Sequence, residues 1–381
     1  MKSKTDVVLI NLGPLKVGGG QNVGINFLQA LKQLETDNLR FIFTVAKKSD
    51  LSLILEKENK FIYYEVPKNP FLRIFYELTV GKAIVYKHKV KVLFSLFGTS
   101  FYPRNLYEIM GSADSNLFYP EYDFWNQYGI IKKLGKRVVD SYRIYGLKKA
   151  DKVVFENKIL EQRAKKLFNL SNTIFIKPSV SFNFTKKDFR LPTGIKKNRP
   201  IGLFLCGWHH NKNYMMIPEI AKEFRANGED FYFIITAPND KSHLCRVFQS
   251  KLFEYKLNNL VKIVGNVAKG QLLSLYSKID YVFLLSNLES FSNNIIEAWY
   301  TRKLLIISDE EWAKSICKNS AVYVNQNSSK DIVKKVLFFV RNSKEKEKLV
   351  KNGSDRLKKY PSINQKTLKE IEEIKNAFKI L

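Results

Sequence analysis

The sequence predicts an α/β protein made of two doubly wound, Rossmann-like domains that face each other across a cleft. Short apolar runs alternate with helix-length amphipathic segments over nearly all of the 381 residues. This alternation is typical of buried parallel strands joined by helices. The same alternation restarts after residue 200, behind a stretch that contains several prolines and lysines. Since domains usually contain about 100–200 residues, the length also agrees with two of them.

The first half of the chain opens with a strand, a glycine-rich loop and a helix. The predicted strands are 6–12, 40–45, 61–66, 91–96 and 152–155. The loop over 13–24 contains Gly18, Gly19 and Gly20 in succession. Consecutive glycines allow the backbone to approach a ligand closely, and free N–H groups at the following helix start can bind an anion or a sugar oxygen. The loop is neither a clean GxGxxG fingerprint nor a P-loop, and a tight strand-to-helix turn is the alternative interpretation.

The second half repeats this order after a linker. The predicted domains are 1–180 and 201–361, with a linker over 181–200 that contains Pro192, Gly194 and Pro200. The predicted strands of the second domain are 201–206, 231–236, 261–264, 281–285 and 304–307. Residues 362–381 read as a C-terminal helix that could pack back on the first domain.

The charge of the chain indicates an anionic partner. The sequence has 64 Lys and Arg against 36 Asp and Glu, a formal net charge of +28. Nucleic acid, an anionic lipid surface and a phosphate-bearing substrate all fit such a charge. Because the basic residues are spread along the chain, we expect no nucleic acid. The three scattered cysteines and the lack of a secretory signal or an apolar stretch of ~20 residues predict a cytoplasmic protein.

A polar loop over 207–213 follows the first strand of the second domain. Its Lys212 would stand beyond the carboxyl end of that strand, where an ammonium group can neutralise a diphosphate. His209 and His210 could add hydrogen-bond donors, whereas a zinc site is disfavoured because no further ligand lies at a suitable spacing. A solvated loop is the alternative.

The segment over 286–299 combines two carboxylates with a predicted helix start. Glu289 precedes Glu297 by eight residues, and the polar stretch 290–294 offers helix N-cap residues. Backbone N–H groups at a helix start suit a phosphate, while carboxylates suit the hydroxyls of sugars. The alternative is that Glu297 only complements the helix dipole and that Glu289 is solvated.

These features, in this order, resemble a known family. Glu289 and Glu297 form the E-x7-E pattern of retaining glycosyltransferases with the GT-B fold, and the whole chain resembles glycosyltransferase family 4. The resemblance implies that Lys212 and Glu289 are the catalytic residues, that Lys212 holds the donor diphosphate and that Glu289 faces the donor sugar. It also implies a metal-independent enzyme without a cofactor, whose co-substrate is a UDP or GDP sugar.

The resemblance further implies which residues bind the donor. Glu297 would bind the ribose hydroxyls, and the glycine loop would lie close to the diphosphate and the acceptor. Trp208 stands where family members commonly have an arginine, so a neighbouring histidine would supply that donor. The remaining implied donor-binding residues are Gly19, Gly20, His209, His210, Asn266, Val267, Ser292, Asn293, Asn294 and Ile295.

The acceptor side is predicted from composition. The segment 112–123 is polar and aromatic, and its Asp114 or Glu121 could orient an acceptor hydroxyl; ordinary core aromatics with capping polar residues are the alternative. The stretch 130–149 has apolar residues at helical spacing among seven basic residues. Such a helix can lie on an anionic membrane, or it can pack on its own sheet with a solvated basic rim.

The expected function is transfer of a hexose to a lipid-linked or growing glycan in bacterial surface polysaccharide biosynthesis, as O-antigen or capsule. The expected place of action is the inner face of the cytoplasmic membrane, where the protein would be peripheral. The alternatives are a nucleotide-sugar 2-epimerase of the same fold, a non-catalytic sugar-nucleotide binder and a non-catalytic polyanion-binding protein.

Overall fold

The computed structural model describes residues 5–16, 18–36, 38–58, 60–103, 105–126, 128–181, 187–196 and 198–381. The chain divides into two compact units. Unit 1 comprises Met1–Ser181 and Pro361–Leu381, and unit 2 comprises Phe182–Tyr360.

The strands and helices alternate along both units. The strands are β1 Asp6–Leu12, β2 Leu39–Ala46, β3 Ile62–Val66, β4 Val92–Ser95, β5 Tyr107–Ser112, β6 Lys152–Phe155, β7 Thr173–Phe175, β8 Ile201–Phe204, β9 Tyr232–Ile235, β10 Val261–Ile263, β11 Tyr281–Leu284, β12 Leu304–Ser308 and β13 Val322–Val324. The helices are α1 Gly18–Gln33, α2 Asp50–Lys57, α3 Pro70–Tyr76, α4 Lys82–His88, α5 Ile130–Lys149, α6 Lys158–Phe168, α7 Met216–Ala226, α8 His243–Glu254, α9 Lys269–Ser277, α10 Asn293–Tyr300, α11 Glu311–Cys317, α12 Ser329–Arg341, α13 Ser343–Leu357 and α14 Ile363–Ile380.

Each unit has one parallel sheet with a reversal of strand order. In unit 1 the order is β3-β2-β1-β4-β5-β6-β7, and in unit 2 it is β10-β9-β8-β11-β12-β13. All strand pairs are parallel. The chain therefore winds outwards in both directions from β1 and β4 in unit 1, and from β8 and β11 in unit 2. The predicted doubly wound α/β fold class is confirmed.

Three of the described strands, β5, β7 and β13, were not predicted from the sequence. The last two have only three residues each, and β5 carries a charge in place of a continuous apolar run. In β5, Glu108 is buried, with Lys149 at 3.1 Å and the Ser100 hydroxyl donating to it at 2.5 Å. Gly111 in the same strand cannot be replaced, because a Cβ there would lie 1.8 Å from the carbonyl oxygen of Leu96.

The C-terminal helix α14 packs within unit 1. Its Ile371, Ile374 and Ala377 are buried in the same apolar cluster as residues of β1 and α1. Its Lys366 is buried between Glu156 at 2.8 Å and Glu370 at 3.1 Å, so the charge is paired on both sides. A buried charge with two carboxylate partners avoids the penalty of an unpaired one.

All but the first residue of the segment expected as a linker, 181–200, belong to unit 2. Residues 182–186 lie outside the described residues. Asp188 pairs with Lys278 at 2.7 Å and accepts from the Ser274 hydroxyl at 2.8 Å, and Phe189 is buried. These contacts attach the segment to α9 and the turn that follows it.

Candidate functional site

The candidate site lies at the carboxyl ends of β8 and β11. These are neighbouring strands in unit 2, and the strand order reverses between them. In open α/β sheets, ligands bind outside the carboxyl ends of the strands at such a reversal. The loop after β8 carries Lys212, and the loop after β11 carries Glu289. The topology thus brings together two segments that are far apart in sequence.

Asn211 joins these two loops. Its side-chain amide donates to the carbonyl of Leu288 at 2.6 Å and accepts from the N–H of Leu288 at 3.0 Å. Its own carbonyl accepts from the N–H of Asn287 at 2.9 Å. Three hydrogen bonds from one residue hold the loops in a single register, so Asn211 positions the residues on either side of it.

Lys212 and Glu289 form an ion pair across the two loops, with a hydrogen bond from Nζ to Oε1. Both side chains are only partly exposed. A cation beside a carboxylate offers both a charge for a phosphate and an acceptor for a hydroxyl. Both residues were predicted for one site from the sequence, and they are in direct contact in the structure.

The start of α10 lies beside this pair. Ser292 is its N-cap residue and is buried, but its side chain makes no capping hydrogen bond. Asn294 is also buried and donates to the carbonyl of Leu205, in the loop after β8, at 3.0 Å. Asn293 is exposed and Ile295 is buried. A helix start without a side-chain cap leaves backbone N–H groups and the positive end of the dipole for an anion.

Glu297 lies one turn into α10 and is held by Tyr276 of α9. The Tyr276 hydroxyl donates to Oε2 of Glu297 at 2.8 Å, and the Tyr276 side chain is fully buried. Burial raises the pKa of Glu297, while the hydrogen bond from Tyr276 and the charge of Lys269 act in the opposite direction. With one oxygen held by Tyr276, the other is the oxygen left to accept a ligand hydroxyl.

Trp208 has a structural role in the loop after β8. Its indole N–H donates to the carbonyl of Pro238 at 2.7 Å, and its ring lies 5.1 Å from that of Tyr214 and 5.2 Å from that of Phe248. His209 and His210, which follow it, are exposed. Trp208 therefore fixes the loop against unit 2 and leaves the two histidines at the surface.

Two further predicted residues follow β10. Asn266 is exposed and Val267 is half-buried, directly after Gly265, whose φ is +77°. In the sheet, β10 is separated from β8 by β9. These residues thus lie at the same edge of the sheet as Lys212, two strands away.

In unit 1, the glycine loop opens α1. The helix begins at Gly18, whose φ of +72° favours glycine. A Cβ on Gly19 would meet no described atom within 4 Å, and one on Gly20 would lie 3.2 Å from Leu15. Packing therefore does not require glycine at position 19, which agrees with an open approach for a ligand.

The two predicted acceptor residues are engaged in ion pairs. Asp114 lies 3.4 Å from Arg143, and burial raises its pKa. Glu121 pairs with Arg163, whose guanidinium also lies 4.0 Å from the centre of the Tyr119 ring. Their role toward an acceptor stays a prediction.

Sequence reasoning missed Asn211 and Tyr276. Asn211 lies within the polar loop that the analysis singled out, and its position before Lys212 is the available signal. Nothing in the pattern of α9 marks Tyr276, whose role follows from the packing of α9 beside α10.

The described residues contain neither a metal-binding cluster nor a membrane-spanning helix. No group of three or more His, Cys, Asp or Glu among them is arranged to hold a metal ion. Over the same residues, the helices are all too short or too polar to cross a bilayer.

Comparisons with known proteins show a sequence match within unit 2 and a fold for the chain. Residues 185–356 match the sequence model of the family described as "Glycosyl transferases group 1". No curated protein matches the chain. This match lies within unit 2.

Solved structures resemble the chain over nearly its full length. A glycosyltransferase from Rickettsia africae is 19% identical, with a TM-score of 0.73, and the match covers 98% of this chain and 99% of that one. Anabaena HepE, solved with UDP and glucose, is 13% identical with a TM-score of 0.70, covering 97% and 100%. WaaG, described as a glycosyltransferase involved in lipopolysaccharide biosynthesis, is 12% identical with a TM-score of 0.68, covering 97% and 99%. These likenesses establish the GT-B fold.

Proposed function

We propose that this protein is a retaining, metal-independent glycosyltransferase that moves a hexose from a UDP or GDP sugar to a glycan or lipid-linked glycan. The observation that carries the proposal is the Lys212–Glu289 ion pair. It lies at the strand-order reversal of unit 2, beside the uncapped start of α10 and inside the region that matches the glycosyltransferase family.

In this proposal the donor diphosphate binds between Lys212 and the start of α10. The backbone N–H groups from Ser292 to Asn294 receive the distal phosphate, and the Lys212 ammonium neutralises the leaving group. The N–H of Ile295, which the resemblance also implied, already donates to the carbonyl of Ser292 at 3.1 Å. Lys212 is already paired with a carboxylate, so the donor would compete with Glu289 for it. Release of Glu289 frees that carboxylate to accept hydroxyls of the donor sugar.

The nucleoside end binds along the same sheet edge. Glu297 would accept the ribose hydroxyls with the oxygen that Tyr276 does not occupy. Asn266 and Val267 would lie beside the base, and His209 or His210 would add a donor to the diphosphate. HepE, which shares the fold, was solved with UDP-glucose, and this supports a nucleotide sugar as the donor.

The proposed reaction retains the anomeric configuration by attack on the face that the leaving group departs from. The bond between the sugar C1 and the diphosphate oxygen breaks, and the acceptor oxygen bonds to C1 on the same face. The departing diphosphate takes the acceptor proton, so no side-chain base is needed. Lys212 and the α10 dipole stabilise the charge that develops on the leaving group.

We also propose that the protein works at an anionic membrane, on the cytoplasmic face, in bacterial surface polysaccharide assembly. The helix α5 carries exposed Ile131 and Val138 among basic residues, and only Gly146 and Leu147 in it are buried. Packing against unit 1 therefore explains only the C-terminal part of α5, and the apolar residues nearer its start are left exposed. WaaG, which shares the fold, is described as acting in lipopolysaccharide biosynthesis, and this supports a surface-glycan acceptor.

The test is donor hydrolysis with the purified full chain across UDP and GDP sugars, which needs no acceptor. We expect release of nucleotide and free hexose from one donor. In Lys212→Ala, turnover should fall about 10²–10³-fold, because one charge that stabilises the leaving group is lost. In Glu297→Ala, the donor KM should rise instead.

The matched control is Lys334→Ala, which removes an exposed lysine of α12 in the same unit. Turnover equal to that of the wild type is expected for it. Wild-type kinetics in Lys212→Ala and Glu297→Ala would refute the site. Release of a 2-epimer of the donor sugar would show that the protein is a nucleotide-sugar 2-epimerase and not a transferase.

A further inference from the structure

A cationic cluster lies at the carboxyl ends of β1, β2 and β3 in unit 1. Lys16 follows β1, Lys48 follows β2, and Lys68 and Arg73 follow β3. The loops that carry them are adjacent, because these three strands are neighbours in the sheet. None of the roles described above uses these residues.

Backbone carbonyls, not carboxylates, hold the lysines of this cluster together. The Lys16 ammonium donates to the carbonyl of Lys68, and the Lys68 ammonium donates to the carbonyl of Lys48 at 3.1 Å. Burial and the neighbouring charges of Arg73 and Lys68 lower the pKa of Lys16. Glu65 lies close by, but it accepts from the N–H of Lys48 at 3.0 Å. Among the described residues, Lys16 and Lys68 thus have carbonyl partners and no carboxylate partner.

Arg73 anchors the cluster beside the glycine loop. Its side chain is only 12% exposed, and its Nε lies 3.3 Å from Glu77. That Nε has no hydrogen-bond partner among the residues that the structure describes. Glu77 is itself buried and accepts from the N–H of Phe101 at 2.8 Å. A Cβ on Gly13 would lie 3.7 Å from Cδ of Arg73, so Arg73 borders the loop that leads into α1.

We infer that Lys16, Lys68 and Arg73 form an anion subsite in unit 1 that binds a phosphate group of the acceptor. The group would be a phosphomonoester or a diphosphate. Arg73 already lies 3.3 Å from Glu77, whereas the two ammonium groups have only carbonyl partners among the described residues. Binding of an anion between the three groups would relieve their mutual repulsion. The start of α1 at Gly18 lies in the same loop as Lys16 and adds the positive end of a helix dipole. The assignment of the phosphate to the acceptor rests on the proposed function, whereas the anion subsite itself does not.

The test measures binding of inorganic pyrophosphate to the full chain by calorimetry, in the wild type and in Lys16→Gln/Lys68→Gln. We expect the double variant to lose about tenfold or more in affinity, as two charge-assisted contacts are removed. Lys165→Gln/Lys166→Gln is the matched control, since it removes two exposed lysines of α6 in the same unit. It should bind like the wild type.

Lys212→Ala separates this subsite from the donor site. It should lower donor hydrolysis and leave a pyrophosphate site that still depends on Lys16 and Lys68. Equal pyrophosphate affinity in the wild type and in Lys16→Gln/Lys68→Gln would overturn the inference, even if donor hydrolysis succeeds.

Two further probes identify the source of the phosphate. Glucose 6-phosphate represents a soluble phosphorylated sugar, and phosphatidic acid in phosphatidylcholine vesicles represents a lipid phosphate. Loss of binding in the double variant toward the first probe assigns the subsite to a sugar phosphate, and loss toward the second assigns it to a lipid phosphate. No loss toward either would overturn the inference.

Discussion

Tyr276 controls how Glu297 is presented to a ligand. Its hydroxyl holds one carboxylate oxygen at 2.8 Å from within a fully buried side chain. Burial raises the pKa of Glu297, and this hydrogen bond opposes the rise because it stabilises the ionised form. Glu297 accepts hydroxyls best when ionised, so donor affinity should fall as the pH drops through its pKa.

We therefore predict that Tyr276→Phe weakens donor binding. Because the pKa of Glu297 rises when this hydrogen bond is lost, the pH below which donor binding weakens should also rise. Loss of one hydrogen bond to a charged group costs about 1.5–3 kcal/mol. The measurement is donor KM against pH in the wild type and the variant, with kcat followed in parallel. Tyr323→Phe, remote in sequence on β13, is the control. A pH profile of KM identical to that of the wild type would contradict the assignment.

Among the residues of the candidate site, the sequence predicted the ones that follow strands. Lys212 and Glu289 each come after an apolar run, and strand polarity alone places both at one sheet edge. The roles of Asn211 and Tyr276 could not be predicted, because they come from contacts with residues 77 and 21 positions away. Such contacts depend on packing and leave no local pattern.

Two helical segments of unit 1 expose apolar side chains. In α3, which has no buried residue, Phe71 is 80% exposed; in α5, Ile131 is 88% exposed. The segments are linked through Phe101, whose N–H binds Glu77 after α3 and whose ring stacks at 4.4 Å on Tyr142 of α5. An amphipathic stretch in a sequence fits both a core helix and a surface helix, so only the structure shows that most of α5 is exposed.

We predict that Ile131→Glu reduces binding to anionic vesicles about tenfold or more. An inserted isoleucine contributes about 1.5–3 kcal/mol, and a carboxylate adds repulsion from anionic lipid. Co-sedimentation with vesicles of phosphatidylglycerol and phosphatidylcholine measures the effect. Phe253→Glu in unit 2 is the matched control, because Phe253 is 77% exposed on α8. An equal loss in both variants would show that charge alone is responsible.

Over the whole molecule, the net charge of +28 is divided among distinct environments. Lys212 is paired with Glu289 in unit 2, Lys366 is buried between two carboxylates in unit 1, and Lys16 and Lys68 are held by carbonyl groups. Most other basic residues lie on the surface, spread over both units. The described basic residues therefore lie in several separate environments and do not form one binding stripe.

This distribution predicts salt-sensitive binding to anionic vesicles without comparable retention of nucleic acid. A diffuse positive surface charge attracts an extended anionic lipid surface. Salt screens this attraction above about 0.15 M, where the Debye length is about 8 Å. A nucleic-acid site would need basic and stacking aromatic residues aligned in a groove. The measurement compares wild-type co-sedimentation with anionic and neutral vesicles, and filter retention of single-stranded RNA and duplex DNA, at low and high salt. If RNA or DNA were retained as strongly as the anionic vesicles and released by salt, the polyanion-binding alternative would explain the charge better than a membrane-associated enzyme does.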